Sequence, residues 1–253
     1  MRKHQPISGL LMRGGIAAVI GLALAGYRMQ PVFAGAQAKP SRLDTVLDQM
    51  DTASKKFQSA QENVRQVIFT KAVQDTSAQT GQVYFLRKDG ATQMGMKMLP
   101  PDAPAGAAPA QIVEFKDGKL RILNTGLNQV SEYSAAGHQA LAETFLTLGF
   151  GGSGSDLKKA WTIDDQGPEQ ITDGAKTVPV ERLDLVSKDA DLKRNFTHIT
   201  IWIDPVRAVS LKQVIFFPSG DTRTEFYTNI QLNQLKPADM AAFAIKCKNN
   251  KCS

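Results

Sequence analysis

The chain has 253 residues, of which 42% are hydrophobic, and its formal net charge is +6. Four of the 30 basic residues and none of the 24 acidic residues lie within residues 1–34, so the rest of the chain carries only +2. This balance provides no basic surface for neutralising phosphates and argues against nucleic-acid binding. The length beyond residue 34 suits one domain with a substantial core.

Residues 1–34 have the pattern of a secretory signal peptide. Basic residues precede the apolar stretch 14–26, and small-residue patterns follow it. We predict cleavage after residue 34, or alternatively after residue 38, and export of residues 35–253 as a single domain. The apolar stretch is shorter than the roughly 20 residues of a permanent membrane helix, although an uncleaved anchor remains an alternative. No cysteine lies near the cleavage region, where a lipoprotein would be acylated.

The first element after the leader is predicted to be an amphipathic helix beginning at Ser41. Ser41 is a suitable N-cap, and Asp44 follows three residues later, which is close to the capping pattern. Apolar residues recur near helical spacing, with polar residues between them. They are Leu43, Val46, Leu47, Met50, Phe57, Ala60 and Val64.

Short strands are predicted to follow this helix. A polar turn at 75–80 separates the first two, and a Pro-, Ala- and Gly-rich segment at 100–110 is predicted to be a flexible insertion. Asp117-Gly118, flanked by apolar residues, is a strong hairpin signal. Alternation places Met94, Met96 and Met98 on one strand face. The predicted strands are 67–72, 81–88, 92–99, 111–115, 120–124 and 129–133.

A glycine-rich segment, 149–154, joins two predicted helices at 139–150 and 155–161. It fits the spacing G-x-G-x-x-G. In a dinucleotide site, however, a strand delivers these glycines to a helix within a βαβ unit. Here a predicted helix precedes them and antiparallel strands follow, so we favour a flexible joint between helices.

Residues 196–233 indicate an antiparallel meander of three long strands. Runs of β-branched and aromatic residues are separated by Asp204-Pro205 and by the turn 218–221. Alternation puts Ile199, Ile201 and Ile203 on one face of their strand. In the third run, alternation places five residues on one strand face: Thr222, Thr224, Phe226, Thr228 and Ile230.

No recognisable catalytic or metal-binding set appears in the sequence. The three histidines have no metal-ligand spacing, and no nucleophile elbow is present. Asp164-Asp165 and Asp189/Asp191 are paired carboxylates, but both pairs occur in polar segments that resemble turns. Cys247 and Cys252 are candidates for a local disulfide worth at most about 2 kcal/mol. Binding, without a cofactor or metal, is therefore a better hypothesis than catalysis.

The order of these parts resembles the LolA family of periplasmic lipoprotein carriers. The resemblance rests on the leader, the first helix, GQVYFLRK (81–88), the Asp-Gly-Lys turn, NQVSEY (128–133), LTLGFGGSGSDL (146–157) and the final meander. It covers nearly all of the chain beyond the leader. The Arg-Pro of the family is replaced by Arg87-Lys88, and the insertion at 100–110 is foreign to it.

The resemblance implies an α+β fold, in which a strongly curved antiparallel sheet forms an incomplete, half-open β-barrel. Helices would cover its concave apolar face. Arg87 would point inward and bond the lid in the closed state, with a snorkelling arginine as the alternative. The expected cavity-lining residues are Val83, Phe85, Met94, Met96, Met98, Phe115 and Trp202. The expected lid residues are Leu141, Phe145, Leu148 and Phe150.

The resemblance further implies a monomeric periplasmic carrier that shields the acyl chains of lipoproteins in a hydrophobic cavity. Its expected partners are an inner-membrane lipoprotein exporter complex and an outer-membrane receptor. One alternative is a lipid- or peptide-sensing periplasmic regulatory domain of the same fold. A second alternative is a hydrolase on a similar open barrel, which would need a polar cluster inside the hollow.

Overall fold

A computed structural model describes residues 41–104, 106–134, 148–173, 176–248 and 251–252 of the chain. The predicted leader lies outside these residues, as does most of the predicted helix at 139–150. Its residues Leu141 and Phe145 are among those not described. The division into a leader and one domain therefore stays a prediction.

Eleven strands form one open antiparallel sheet. Its order is β6-β5-β4-β3-β2-β1-β11-β10-β9-β8-β7, so that β6 and β7 are its edges. This confirms the predicted α+β class with a curved, incomplete barrel. The strands are β1 (Ser59–Thr70), β2 (Asp75–Lys88), β3 (Ala91–Met98), β4 (Gln111–Lys116), β5 (Lys119–Asn124), β6 (Gln129–Ser134), β7 (Trp161–Asp173), β8 (Lys176–Ser187), β9 (His198–Asp204), β10 (Val209–Phe216) and β11 (Thr222–Leu232).

Four helices and a small terminal hairpin complete the described fold. The hairpin pairs β12 (Cys247–Lys248) with β13 (Lys251–Cys252), and the predicted disulfide between Cys247 and Cys252 is present. No helix in the described ranges has the length and apolar character needed to cross a membrane. The helices are α1 (Arg42–Ser54), α2 (Gly154–Ala160), α3 (Ala190–Asn195) and α4 (Pro237–Met240).

The first helix begins as predicted but ends earlier. Ser41 is its N-cap, and the Ser41 hydroxyl accepts a hydrogen bond from the backbone N–H of Asp44. Phe57, Ala60 and Val64 are not helical, because β1 begins at Ser59. Their spacing suits a helix and also a strand that buries alternate residues, and pairing with β2 and β11 selects the strand.

Two segments predicted to be turns are strand. Residues 75–80 form the first half of β2, and the chain reverses instead at 71–74, where Gln74 has a φ of 51°. Asp164 and Asp165 lie on β7. In both cases the polar residues lie on long, largely exposed hairpin arms. An exposed strand and a turn can be equally polar, so polarity alone does not distinguish them.

Strand register divides the sheet into two faces. Residues directly paired across strands point to the same side, so the pairs Phe85–Met94, Met94–Phe115 and Val64–Tyr227 define one face. The isoleucines of β9 lie on the same side. They pair with Gln213 and Ile215 of β10, which in turn pair with inner-face residues of β11. This inner face is the one that α1 and α2 cover, through Val46, Leu47, Met50 and Leu157.

The opposite, outer face is covered in part by the C-terminal residues 236–248. Phe243 packs over Gly95 of β3, where any added Cβ would meet its ring. Ile245 packs with Ile112 and Leu123, and its carbonyl oxygen accepts a hydrogen bond from Arg121 Nη1 at 3.2 Å. The disulfide-closed hairpin therefore ends a segment that is anchored on the sheet.

Candidate functional site: the inner face and its closing segment

The inner face of β1–β4 carries a continuous apolar cluster. Of the predicted cavity-lining residues, the structure brings six together on this face: Val83, Phe85, Met94, Met96, Met98 and Phe115. Five are buried, and Met96 is half-buried. Three of the six are methionines, whose unbranched side chains adapt to irregular partners.

Trp202 does not lie on this face. It alternates with Ile201 and Ile203 along β9, so its indole reaches the outer face, where it packs with Val180 and Leu211. Its Nε1 donates a hydrogen bond of 2.6 Å to Glu169. The prediction of Trp202 as a cavity residue is therefore wrong, although the alternation that places Ile199, Ile201 and Ile203 on one face already puts Trp202 on the other.

A short segment, 148–151, closes over the inner face, and we call it the closing segment. Phe150 is 1% exposed; its ring stacks on Phe85 at 4.8 Å between centroids and meets Tyr227 edge-on at 4.8 Å. Leu148, the other lid residue described, is also buried. Phe150 thus lies over the apolar cluster of β1–β4, and Leu148 packs with the neighbouring cluster formed by α1, α2 and β9.

Backbone bonds attach the closing segment to the start of β10. Phe150 forms a bridge with Val209, and the N–H of Ser210 donates to the carbonyl oxygen of Gly149 at 2.6 Å. Gly149 and Gly151 have φ values of 80° and 70°. Side chains are strained in this region, and a Cβ at Gly151 would meet the ring of Phe57. The glycines therefore allow the closing segment to approach β10 and Phe57 closely, whereas the sequence suggested only a flexible joint.

Arg87 joins the sheet to both covering elements. It lies on the inner face of β2, two residues beyond Phe85. Its Nη1 donates to the carbonyl oxygen of Ser54 at the end of α1, and its Nη2 donates to that of Gly151, both at 2.7 Å. Its guanidinium lies 5.3 Å from the centroid of the Phe57 ring. One cation thus holds the end of α1 and the closing segment against β2.

Glu62 is a residue of the inner face that sequence reasoning missed. It is 1% exposed, and neither carboxyl oxygen has a hydrogen-bond partner among the residues that the structure describes. Burial raises the pKa of Glu62 well above its usual value. Reading 59–70 as a strand would have placed this glutamate between Ala60 and Val64 on the apolar side.

The raised pKa predicts that Glu62→Gln stabilises the folded protein at neutral pH. The folded state binds the proton of Glu62 more tightly than the unfolded state, so wild-type stability falls as the pH rises above the unfolded pKa of about 4.3. Above the folded pKa the wild type buries a charged carboxylate, which costs more than the neutral amide of the variant, so the variant should gain about 1–3 kcal/mol or more. The gain should disappear near pH 4.

Urea unfolding from pH 4 to pH 8 measures this difference. Glu225 and Tyr227 share the inner face and are bonded to each other, and both stay unchanged in the variant. Glu132→Gln, on an exposed glutamate paired with Lys119, provides the control. A constant difference between Glu62→Gln and wild type across this range would contradict the prediction.

Cavities in the described part of the chain border both sides of the sheet. One, of about 920 Å³, includes Glu62, Asp204 and Ile230 in its lining, together with Gln61 and Gln82 of the outer face. Another, of about 240 Å³, lies between the outer face of β2–β4 and the C-terminal segment and also borders Met94 and Phe115. The apolar side chains themselves contact one another, so the inner face is closed in this structure.

Comparisons with solved structures find proteins of similar fold. An outer membrane lipoprotein-sorting protein domain from Vibrio parahaemolyticus has a TM-score of 0.43 and 10% identity, with 78% of this chain and 95% of that chain covered. A LolA superfamily protein from Nitrosomonas europaea has a TM-score of 0.39 and 14% identity, with coverage of 81% and 98%. A chain of the MucA/MucB complex from Pseudomonas aeruginosa has a TM-score of 0.46 and 15% identity, with coverage of 84% and 63%.

The solved structures that the chain resembles thus include LolA superfamily members, at TM-scores below 0.5. No family model matches the chain, and no curated protein matches it. Identities of 10–15% do not carry function from one chain to another, so the functional argument rests on the inner face itself.

Proposed function

We propose that this chain is a binding protein, without catalytic activity, that shields acyl chains on its inner face. The observation that carries the proposal is the closure of the apolar cluster by a segment bonded to an inward-facing arginine. Arg87 lies beside Phe85 and bonds the closing segment through a main-chain oxygen. Such a contact can break and re-form without disturbing the sheet.

The energetics of a single acyl chain fit this arrangement. Each buried methylene is worth about 0.8 kcal/mol, so a long chain needs shielding on the order of 10 kcal/mol. The face beneath Phe150 offers Phe85, Met94 and Phe115 to such a chain once the closing segment moves. Closure stacks Phe150 on Phe85 instead, so it competes with the ligand for this surface.

The finer proposal is a periplasmic carrier that transfers acylated lipoproteins from an inner-membrane exporter to an outer-membrane receptor. The leader pattern of residues 1–34 and the likeness of fold support it. Release would follow from re-formation of the Arg87 bonds, which needs no covalent chemistry. The regulatory and hydrolase alternatives stay predictions.

Placing a charge on the inner face tests the proposal. Met96→Glu should weaken the binding of a fluorescent acyl probe to residues 35–253 at least about tenfold, because a carboxylate buried against hydrocarbon is costly. Met96 is half-buried, so the fold should tolerate the change. Gln93→Glu adds the same charge on the outer face of the same strand and should leave binding unchanged.

Fluorescence titration measures both affinities, and circular dichroism checks that the variants are folded. Equal weakening by the two substitutions would move the site away from the inner face. A wild-type protein that binds no acyl probe would refute the proposed function.

A further inference from the structure

The carboxyl group of Glu62 is the feature of the inner face that closure by Arg87 leaves unexplained. Glu62 lies directly across from Val83, between Ala60 and Val64 of its own strand. It is fully covered and without a hydrogen-bond partner in the described ranges. Proteins rarely bury a carboxyl group in this way, because losing its hydrogen bonds to water is costly.

Polar neighbours on the same face are already paired with one another. Gln66 Nε2 donates to Glu225 Oε1 at 3.0 Å, and the hydroxyl of Tyr227 donates to the other carboxylate oxygen of Glu225. Gln66 also accepts a hydrogen bond from Gln79 at 2.7 Å. These contacts leave Glu62 as the polar group with unused capacity among them.

A β-bulge in β11 lies opposite Glu62. The register between β1 and β11 shifts between Gln61 and Asn63, and Asn229 of β11 has a φ of 55°. The extra residue is on β11, so Glu62 has no single directly paired residue on that strand, and bulges are frequent next to functional sites. Glu62 and Ile230 are also among the residues that border the cavity of about 920 Å³.

We propose that Glu62, in its protonated form, is a hydrogen-bonding anchor for the ester or amide group at the head of an acyl ligand on the inner face. This inference rests on the proposed function. A protonated carboxyl group has one O–H donor and a free acceptor oxygen, so it can donate to an ester carbonyl and also accept from an amide N–H. A hydrocarbon chain alone would offer the carboxyl group neither a hydrogen-bond acceptor nor a donor.

The anchor also orients the ligand. Val83, Phe85 and Arg87 follow one another along the inner side of β2, and the four residue steps from Val83 to Arg87 span about 13 Å. A head group at Glu62 therefore directs the methylenes along Val83 and Phe85 towards the closing segment. Anchor and closing contact lie at opposite ends of this path, so they can be altered separately.

Two ligands that differ in one carbonyl group test the anchor. We expect residues 35–253 to bind 1-monopalmitoylglycerol about tenfold more tightly than 1-O-hexadecylglycerol, its ether analogue, as measured by displacement of a fluorescent acyl probe. Glu62→Leu should abolish this preference and leave the affinity for the ether unchanged. Glu62→Gln keeps a neutral donor and should retain the preference, and Glu132→Gln is the exposed control.

The contrary results distinguish a failure of the anchor from a failure of the proposed function. An equal ester preference in wild type and Glu62→Leu, or no preference in wild type, overturns the anchor and leaves the proposed function standing. Lower stability of ligand-free Glu62→Leu than of wild type also overturns it, because the carboxyl group would then have a partner within the chain. Failure of both ligands to bind wild type overturns the anchor together with the proposed function.

Discussion

Replacing Arg87 with leucine should slow the release of a bound acyl ligand by up to about 100-fold. The substitution removes the bonds of Arg87 to the carbonyl oxygens of Ser54 and Gly151. A hydrogen bond from a charged group contributes about 1.5–3 kcal/mol, so the closed state should lose about 3 kcal/mol relative to the open state. Because closure competes with the ligand, the same free energy should appear as tighter binding and slower release.

Stopped-flow transfer of a fluorescent acyl probe to acceptor vesicles measures the release rate. Arg65→Leu is the matched control, because Arg65 is an exposed arginine on the outer face of β1, 5.8 Å from the Phe226 ring. Arg87→Lys keeps the charge but loses the planar fork that reaches two carbonyl oxygens, so its effect should be intermediate. Unchanged release by Arg87→Leu would show that Arg87 has only a structural role.

The sequence predicted the sheet well wherever alternation was unambiguous. The isoleucines of β9 and the methionines of β3 lie on the inner face as expected, and the Asp117-Gly118 hairpin joins β4 to β5. Alternation is a local property of a strand, so it survives in any sheet that buries one side. Trp202 was placed on the wrong face, because the expected cavity lining followed the resemblance to the LolA family and not the alternation along β9.

The contacts of Arg87 could be predicted only in part. A likeness of sequence suggested an inward arginine that bonds the lid, and the structure places this side chain against the carbonyl oxygens of Ser54 and Gly151. Main-chain acceptors carry no signal in the residue types, so these partners could not be read from the sequence. Their availability depends on where α1 ends, and that end was predicted too late because Phe57 continued the helical spacing.

Replacing Phe150 with alanine should lower the free energy of unfolding by about 3–5 kcal/mol, the usual cost of removing a buried aromatic ring. Phe150 is 1% exposed and contacts Phe85 and Tyr227, which lie on strands at different positions in the sheet. Tyr133→Ala is the control, because Tyr133 is 57% exposed on the edge strand β6 and should change stability by less than about 0.5 kcal/mol.

The same variant tests whether Phe150 is only a core residue or also competes with the ligand for the inner face. If the ring of Phe150 occupies the surface that an acyl chain would cover, ligand at about 100 times its dissociation constant should return about 2.7 kcal/mol of the lost stability. Urea unfolding of Phe150→Ala with and without 1-monopalmitoylglycerol measures this recovery. The free energy of unfolding of wild type should rise less at the same ligand concentration, since the ligand must first displace the ring of Phe150. Equal gains in both proteins would mean that Phe150 and the ligand occupy different places, and the closing segment would then not gate the inner face.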